Sequence, residues 1–314
     1  MRAVVVADGD VRVDERPDPE PGPGELLVAV RAAGVNGADM LQRRGLYPPP
    51  AGAPEDIPGL EVAGEVVAAG EGATRFRPGD RVMSIVAGGG QAELALVPDD
   101  TAMPVPDGLG WAAAGGFPEV FLTAHDAVFT QCRLSAGERL LVTGAAGGVG
   151  LAAVQLGRAA GADVVASVRN EALREAVAGF GAEVIDPGDA AAHGPYDVVL
   201  ELVGAPNLAT NLAALATGGR IVVIGIGGGG RAEIDLSQLM GRRAVLRGST
   251  LRARPLEEKA AVTRRVEEAV LPLLASGEVR VPIAATFPLA SAHDAYERFS
   301  AGGKLGKIVL ETSA

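Results

Sequence analysis

Cysteine is all but missing from this chain of 314 residues; there is one, Cys132. Intramolecular disulfides and cysteine-built metal clusters are therefore excluded. Histidine is nearly as scarce. The three present, His125, His193 and His293, stand far apart with no paired ligand spacing, so a zinc centre is disfavoured from the start. Long apolar runs are lacking too. No stretch approaches the roughly 20 residues of a membrane-spanning helix. The opening MRAVVVADGDVRVDERP has no apolar core of a signal peptide, so a cytoplasmic protein without a membrane partner is expected. Basic residues are outnumbered: 28 Lys and Arg face 39 Asp and Glu, a net charge of −11, which argues against a nucleic-acid partner.

What is present is ordinary for a globular protein, with 48% apolar and 21% charged residues. The length suggests two domains. Up to about Pro98 the chain reads as short strands rich in β-branched residues: MRAVVVA, DVRVDERP, ELLVAVRAAGVN, LEVAGEVVAAG, DRVMSIV and AELALVP. Turn formers such as PEPGPGE and FRPGDRV separate them, a spacing that suits a compact, partly open β-barrel. The pattern changes near Trp111. WAAAGGFPEVFLTAHDAVFTQC reads as helical pieces, and from Glu138 strands alternate with helices: RLLVTG, ADVVASV, EVID, YDVVLELVG, RIVVIG and AVLRGST, with one long helix predicted over 256–276. The fold class is α/β, with a Rossmann-type doubly wound parallel sheet plus the smaller β-barrel.

VTGAAGGVG (142–150) follows a predicted strand and opens a predicted helix. Its glycines allow a tight turn and a close approach of backbone to a pyrophosphate, and the helix start offers unbonded N–H groups. Gly144, Ala145, Ala146, Gly147, Gly148 and Val149 are thus candidate dinucleotide ligands. The next strand ends in Ser167-Val168-Arg169-Asn170, with no acid to hold a ribose 2′-hydroxyl. Serine and arginine suit a 2′-phosphate instead, so the cofactor predicted is NADPH, with Ser167, Arg169 and, one turn further on, Arg174 as its phosphate ligands.

Several motifs, in order, carry a family resemblance: AAGVNGADMLQRRGLYPPP, IPGLEVAGEV, FRPGDRVMSIVAGGGQAE, PEVFLTAHDAVF, VTGAAGGVGLAAVQLGRAAGA, GSTLRAR and GKIVL. Together they make the chain similar, over nearly its whole length, to the zinc-free, zeta-crystallin-like quinone oxidoreductases of the medium-chain dehydrogenase/reductase superfamily. The resemblance implies a GroES-like substrate domain (1–115 and 282–314) and a Rossmann domain (116–281), with the active site in the cleft. It also implies a homodimer formed through the AVLRGST edge strand.

The resemblance further implies residue roles. Zinc-dependent relatives carry a cysteine and a histidine where this chain has Asn36 and Leu60, and in the third ligand segment only Glu119 could bind metal. One carboxylate does not hold a catalytic zinc, so no metal is expected. Asn36 is placed beside the nicotinamide ribose and the substrate, and Tyr47 in the substrate site as a hydrogen-bond donor; these are the expected catalytic residues. Asn36, Thr123, Val203, Gly225, Ile226, Thr250, Leu251, Arg252 and Lys307 are expected at the cofactor. Departures from the family pattern at Gln91, Gly147 and Leu173 put the substrate in question. Glu61, left without its histidine neighbour, is expected to be structural, paired with Arg81 or with backbone N–H groups.

Three functions fit these residues. The first is hydride transfer from NADPH to a quinone, a small molecule already electrophilic enough to need no metal. The second is reduction of an enone or enoyl substrate. The third is NADPH binding in a non-catalytic role.

Overall fold

A computed structural model of the chain describes residues 1–312. They form two compact units. The first comprises Met1–Leu122 and the chain from Leu251 on; the second is Thr123–Thr250.

The first unit opens with a hairpin, β1 (Arg2–Ala7) and β2 (Asp10–Glu15). Asp8 and Gly9, both at positive φ, make its two-residue turn. The long strand β3 (Glu25–Val35) is flanked on either side by antiparallel neighbours, because its alternating ELLVAVRAAGV pattern sends every second side chain inward. Helix α1 (Gly37–Arg43) follows, then β4 (Glu61–Ala69), β5 (Arg81–Ile85), β6 (Leu94–Pro98) and β7 (Ala102–Pro104). Strand β3 pairs with β4 and β6, β4 with β5, and β5 with β7, all antiparallel. Leu26, Val28, Val62, Val66, Val82 and Val97 fill the core of this sheet. Helices α2 (Trp111–Gly115) and α3 (Pro118–His125) close this part of the chain, and the boundary between the units falls within α3.

The second unit is a parallel sheet built from β8 (Arg139–Val142), α4 (Gly148–Ala159), β9 (Asp163–Ser167), α5 (Arg174–Ala178), β10 (Glu183–Ile185), β11 (Tyr196–Glu201), α6 (Ala205–Ala213), β12 (Leu215–Val223), α7 (Leu236–Arg242) and β13 (Val245–Gly248). The strand order β10-β9-β8-β11-β12-β13 reverses direction at β8, as a dinucleotide-binding sheet does. Its central strands β8, β9 and β11 are mostly apolar and buried, as expected of strands covered on both faces, whereas β13 at the edge is largely exposed. Leu141, Val165, Val199 and Ile221 lie in its core.

The chain then re-enters the first unit through α8 (Leu256–Ala269), α9 (Leu271–Ser276), β14 (Ile283–Pro288), α10 (Ala292–Ser300) and β15 (Lys307–Glu311). Strand β15 runs antiparallel to β3, with β14 parallel beyond it. The single helix predicted over 256–276 is two helices, broken where Pro272 cannot donate its backbone bond. The units also divide the chain elsewhere than at 115/116 and 281/282. Residues 251–281 belong to the first unit, where α8 is tied by Arg75 to Glu267 at 2.8 Å and by Arg264 to Asp100 at 3.0 Å. Among the described residues, no helix is long and apolar enough to cross a membrane.

Candidate active site

Glu61 begins β4 and is fully buried. Its carboxylate lies 2.6 Å from the ammonium of Lys307, the first residue of β15. It accepts the side-chain N–H of Asn36 at 2.9 Å on Oε1 and the backbone N–H of Glu119, at the start of α3, at 2.9 Å on Oε2. The expected backbone donor is therefore present, but the cation is Lys307 and not Arg81. Arg81 faces Trp111, with its guanidinium 4.3 Å from the ring centre, and donates to the Leu109 carbonyl. Gly34 on β3 makes room for the carboxylate, because a Cβ there would fall 2.0 Å from Glu61 Oε1.

Lys307, expected at a cofactor, is turned inward. Its ammonium also donates to Val35 O at 3.1 Å and to Asn36 Oδ1, so its three N–H groups are all committed within the first unit. Asn36 thereby has both ends of its amide fixed, the oxygen by Lys307 and the nitrogen by Glu61. It stands at the N-terminus of α1, where its backbone N–H donates to Asp39 at 2.8 Å.

Asp39 also accepts the Gly59 N–H at 3.2 Å and the Gln91 amide at 3.4 Å. Burial pushes its carboxyl up to about 6, against the pull of the two backbone N–H groups. Gln91 is itself fully buried and accepts the hydroxyl of Tyr296 at 2.8 Å. The departure at Gln91 is thus an interior polar link joining α10 to α1, not an exposed change of lining.

Tyr47 lies partly buried in the loop after α1. Burial raises its phenol, and the charge of Glu119 raises it further. Arg252 lies against its ring at 5.2 Å. Arg252 donates to Ala87 O at 2.7 Å, Tyr47 O at 3.2 Å and Gln42 Oε1 at 2.8 Å. Expected at the cofactor, this guanidinium clamps the Tyr47 loop to α1. Leu251 beside it is buried in the first unit, whereas Thr250 is exposed and ends the second. Glu119 is partly buried, and its carboxyl makes no hydrogen bond or ion pair among the described residues. Burial first, then the negative charge of Glu61, push it up to about 8.

In the second unit, the glycine loop divides its tasks. Gly144 takes φ +58 at the turn, and its carbonyl accepts the Gly147 N–H at 3.1 Å. Gly147 caps α4 with little around it, since an added Cβ would meet only Gly144 O, at 3.5 Å. Gly150 lets the helix press on the loop; a Cβ there would strike Ala145 Cα at 2.6 Å. Ala145 is buried, with its N–H on the Ser167 carbonyl at 3.2 Å, while Ala146, Gly147, Gly148 and Val149 keep partial exposure at the helix start. The loop and α4 therefore leave an open, N–H-lined cradle of the kind that fits a pyrophosphate.

Ser167 is buried at the end of β9, and Arg169 beyond it is exposed with no ion pair among the described residues. Arg174 is different: it pairs with Asp186 and donates to Val168 O at 3.0 Å, so its charge is already used. Val203, Gly225 and Ile226 lie in loops at the carboxyl ends of β11 and β12. Thr123 is buried in α3.

Sequence reasoning misses Glu201. Fully buried at the end of β11, it accepts Thr143 Oγ1 at 2.9 Å, Val203 N–H at 2.6 Å and Gly204 N–H at 2.7 Å, along with the amides of Asn207 and Asn211. It ties the loop after β8 to the loop after β11. A carboxylate closing the apolar run YDVVLE, followed by two asparagines four apart, is the available signal. Among the described residues, no three His, Cys, Asp or Glu side chains gather as a metal-holding group.

Two family profiles match the chain, an alcohol dehydrogenase GroES-like domain over residues 22–130 and a zinc-binding dehydrogenase over residues 148–268. The chain is 34% identical over 306 residues to a quinone oxidoreductase of Rattus norvegicus, covering 93% of this chain and 90% of that one. It is 32% identical over 347 residues to an acryloyl-coenzyme A reductase of Metallosphaera sedula, covering 99% and 100%. Among solved structures, it resembles the quinone oxidoreductase of Thermus thermophilus, known also in complex with NADPH. The TM-score is 0.86 and the identity 34%, over 99% of this chain and 100% of that one.

Proposed function

Since this chain belongs to the zeta-crystallin-like quinone oxidoreductases of the medium-chain dehydrogenase/reductase superfamily, we propose that it is an NADPH-dependent quinone reductase that needs no catalytic metal. The observation that carries this reading is the pairing of Glu61 with Lys307. Where zinc-dependent relatives keep ligands, this chain has Asn36 and Leu60, and the neighbouring carboxylate is neutralised by an ammonium at 2.6 Å. Nothing there calls for a cation.

The second unit holds the dinucleotide. The amides at the start of α4 face the pyrophosphate, and Ser167 and Arg169 meet the 2′-phosphate. Arg169 supports this part of the reading because it is exposed, unpaired and placed where no acid competes. When bound, the reduced nicotinamide supplies the hydride. The first unit presents Tyr47, steadied by Arg252, to the acceptor oxygen, and Asn36, whose amide orientation is fixed by Lys307 and Glu61. Burial around these groups strengthens their hydrogen bonds to a developing oxyanion. The unpaired, partly apolar edge strand β13 supports a homodimer formed by edge-to-edge pairing.

A second reading is reduction of an enoyl or enone substrate. The match to the whole length of an acryloyl-coenzyme A reductase favours it. Oxidation of NADPH measured against a panel of quinones and α,β-unsaturated carbonyls, acryloyl-coenzyme A included, separates the two. Turnover confined to quinones upholds the first reading, and turnover confined to enones or the thioester replaces it with the second. Turnover of neither would leave a dinucleotide-binding protein without this activity.

A further inference from the structure

The first unit gathers four acidic groups and two cations around one spot. Glu61 stands on β4, Asp39 on α1, Glu119 on α3 and the Tyr47 phenol in the loop after α1. Lys307 faces them from β15 and Arg252 from the segment that follows the second unit.

Most of these groups are already spent. Lys307 has no N–H to give, since Glu61, Asn36 and Val35 take all three. Glu61 holds an ammonium and two N–H groups. Asp39 takes three N–H donors in the interior. Arg252 is engaged with three carbonyl-type oxygens. Glu119 alone has a carboxyl with no hydrogen bond and no ion pair among the described residues. Its backbone N–H is anchored on Glu61 at 2.9 Å, which fixes where the side chain starts. The residue is only partly buried, so a ligand can reach it. It is close enough to Tyr47 and Arg252 for each to feel its charge.

We propose that the Glu119 carboxylic acid is the proton donor of the reduction, acting on an acceptor oriented by Tyr47. The proposal rests on the reductase reading. As hydride from the reduced nicotinamide adds to the acceptor, the O–H bond of Glu119 breaks. A new bond forms to that proton, on oxygen for a quinone or on carbon for an enone. The acceptor gains two electrons, the nicotinamide is oxidised, and Glu119 is left as a carboxylate that recovers its proton from water. The surroundings suit both halves of the cycle. Two cations, Lys307 and Arg252, face the three carboxyl groups of Glu61, Asp39 and Glu119, and Lys307 is already matched by Glu61. An uncompensated further charge is costly there, so the acid form is held ready and quickly restored. Burial, and after it the charge of Glu61, hold the carboxyl up at about 8. Tyr47 is a poorer donor, since burial and the neighbouring carboxyl both raise its phenol.

The test combines spectroscopy with kinetics. Infrared difference spectra of glutamate-labelled protein, taken without cofactor, are expected to contain a protonated-carboxyl band that fades near pH 8 and is missing in Glu119→Gln. In single-turnover reduction, Glu119→Gln is expected to slow the step by about 100-fold or more with NADPH affinity unchanged, and Glu119→Asp to recover part of the loss. Absence of such a band, or a Gln variant within about twofold of the parent in rate and with the same pH profile, would overturn the proposal while leaving the reductase reading intact. A parent protein that reduces neither quinones nor enones would overturn both.

Discussion

The ammonium of Lys307 and the carboxylate of Glu61 meet at 2.6 Å, the two side chains only 3% and 0% exposed. Strand β15, near the end of the chain, pairs with β3 and brings Lys307 beside the start of β4. A buried ion pair of this kind is weak evidence for stability in itself, but breaking one side of it is severe. Its consequence here is geometric. Asn36 is gripped at both amide ends by the two partners, so its orientation depends on both.

Lys307→Met leaves Glu61 buried without its cation. The variant is expected to lose about 3–5 kcal/mol of stability in urea denaturation. Glu61→Gln combined with Lys307→Met should lose clearly less than Lys307→Met alone, because the stranded charge is gone. A single variant within about 1 kcal/mol of the parent would mean that Glu61 finds another partner or takes up a proton at little cost.

Gly34→Ala tests the same centre sterically. Gly34 is not held at positive φ, so the backbone tolerates alanine. The added Cβ would instead lie 2.0 Å from Glu61 Oε1 and 3.0 Å from Gly115 O. The expected cost is about 1–3 kcal/mol from overpacking, and more if the ion pair opens. In a Glu61→Ala background the same change should cost less, since the nearer obstacle has been removed. Additive losses in that double-mutant cycle would show that the clash is relieved elsewhere.

The parallel sheet can be read from the chain because its signals are local. The strands are three to nine residues long, the central ones rich in valine and leucine, most are followed by a helical stretch, and Gly144, Gly147 and Gly150 punctuate the first crossover. Glu61 can be recognised as structural, but its partner cannot be. Arg81 is the nearer choice in sequence and even pairs in register with β4, opposite Glu65. The cation that wins comes from a strand at the far end of the chain, and only the fold brings β15 to β3. The partners of Arg252 cannot be read from the sequence for the same reason: its three acceptors lie on α1, in the Tyr47 loop and after β5, which no local pattern joins. The break in the helix at Pro272 has a local signal, since proline removes a backbone donor wherever it stands, although a single helix is predicted through it.

Arg169 and Arg174 are predicted to behave differently although they are five positions apart. Arg169 is exposed and uncommitted, whereas Arg174 is held by Asp186 and Val168. The parent protein is expected to bind NADPH at least about tenfold more tightly than NADH, a gap of about 1.4 kcal/mol. Arg169→Ala should narrow that ratio. Arg174→Ala should leave it unchanged and lower stability instead. Fluorescence titration with both dinucleotides measures each ratio, and equal affinities in the parent would remove the 2′-phosphate argument.

Strand β13 ends its sheet with Val245 at 45% exposure, and nearby Met240 and Leu236 are at 76% and 65%. An unpaired edge of this kind is expected to be covered by the same edge of a second copy. Light scattering should give twice the chain mass. Val245→Asp should shift the protein towards monomer by placing like charges opposite each other across the two-fold. A monomeric parent at micromolar concentration would exclude this pairing.

Stability should fall as the pH rises from about 4.5 to 8, and the sign follows from two carboxyls. Glu119 has its folded value raised from 4.5 to about 8, and Asp39 from 3.8 to about 6. Between the unfolded and folded values of each group, the folded protein holds a proton that the unfolded chain has released. Raising pH through that window therefore favours unfolding. The contribution of Asp39 is lost between about pH 4 and 6, and that of Glu119 between about pH 4.5 and 8. Below the lower limits both groups are protonated in either state and the effect vanishes. Glu119→Gln removes one of the two, so its denaturation midpoint should change less between about pH 5 and 8 than that of the parent, and the two proteins should diverge most at the alkaline end. Parallel profiles across that range would show that Glu119 is ionised in the folded protein at neutral pH. They would also remove the energetic basis for a carboxylic acid at this position.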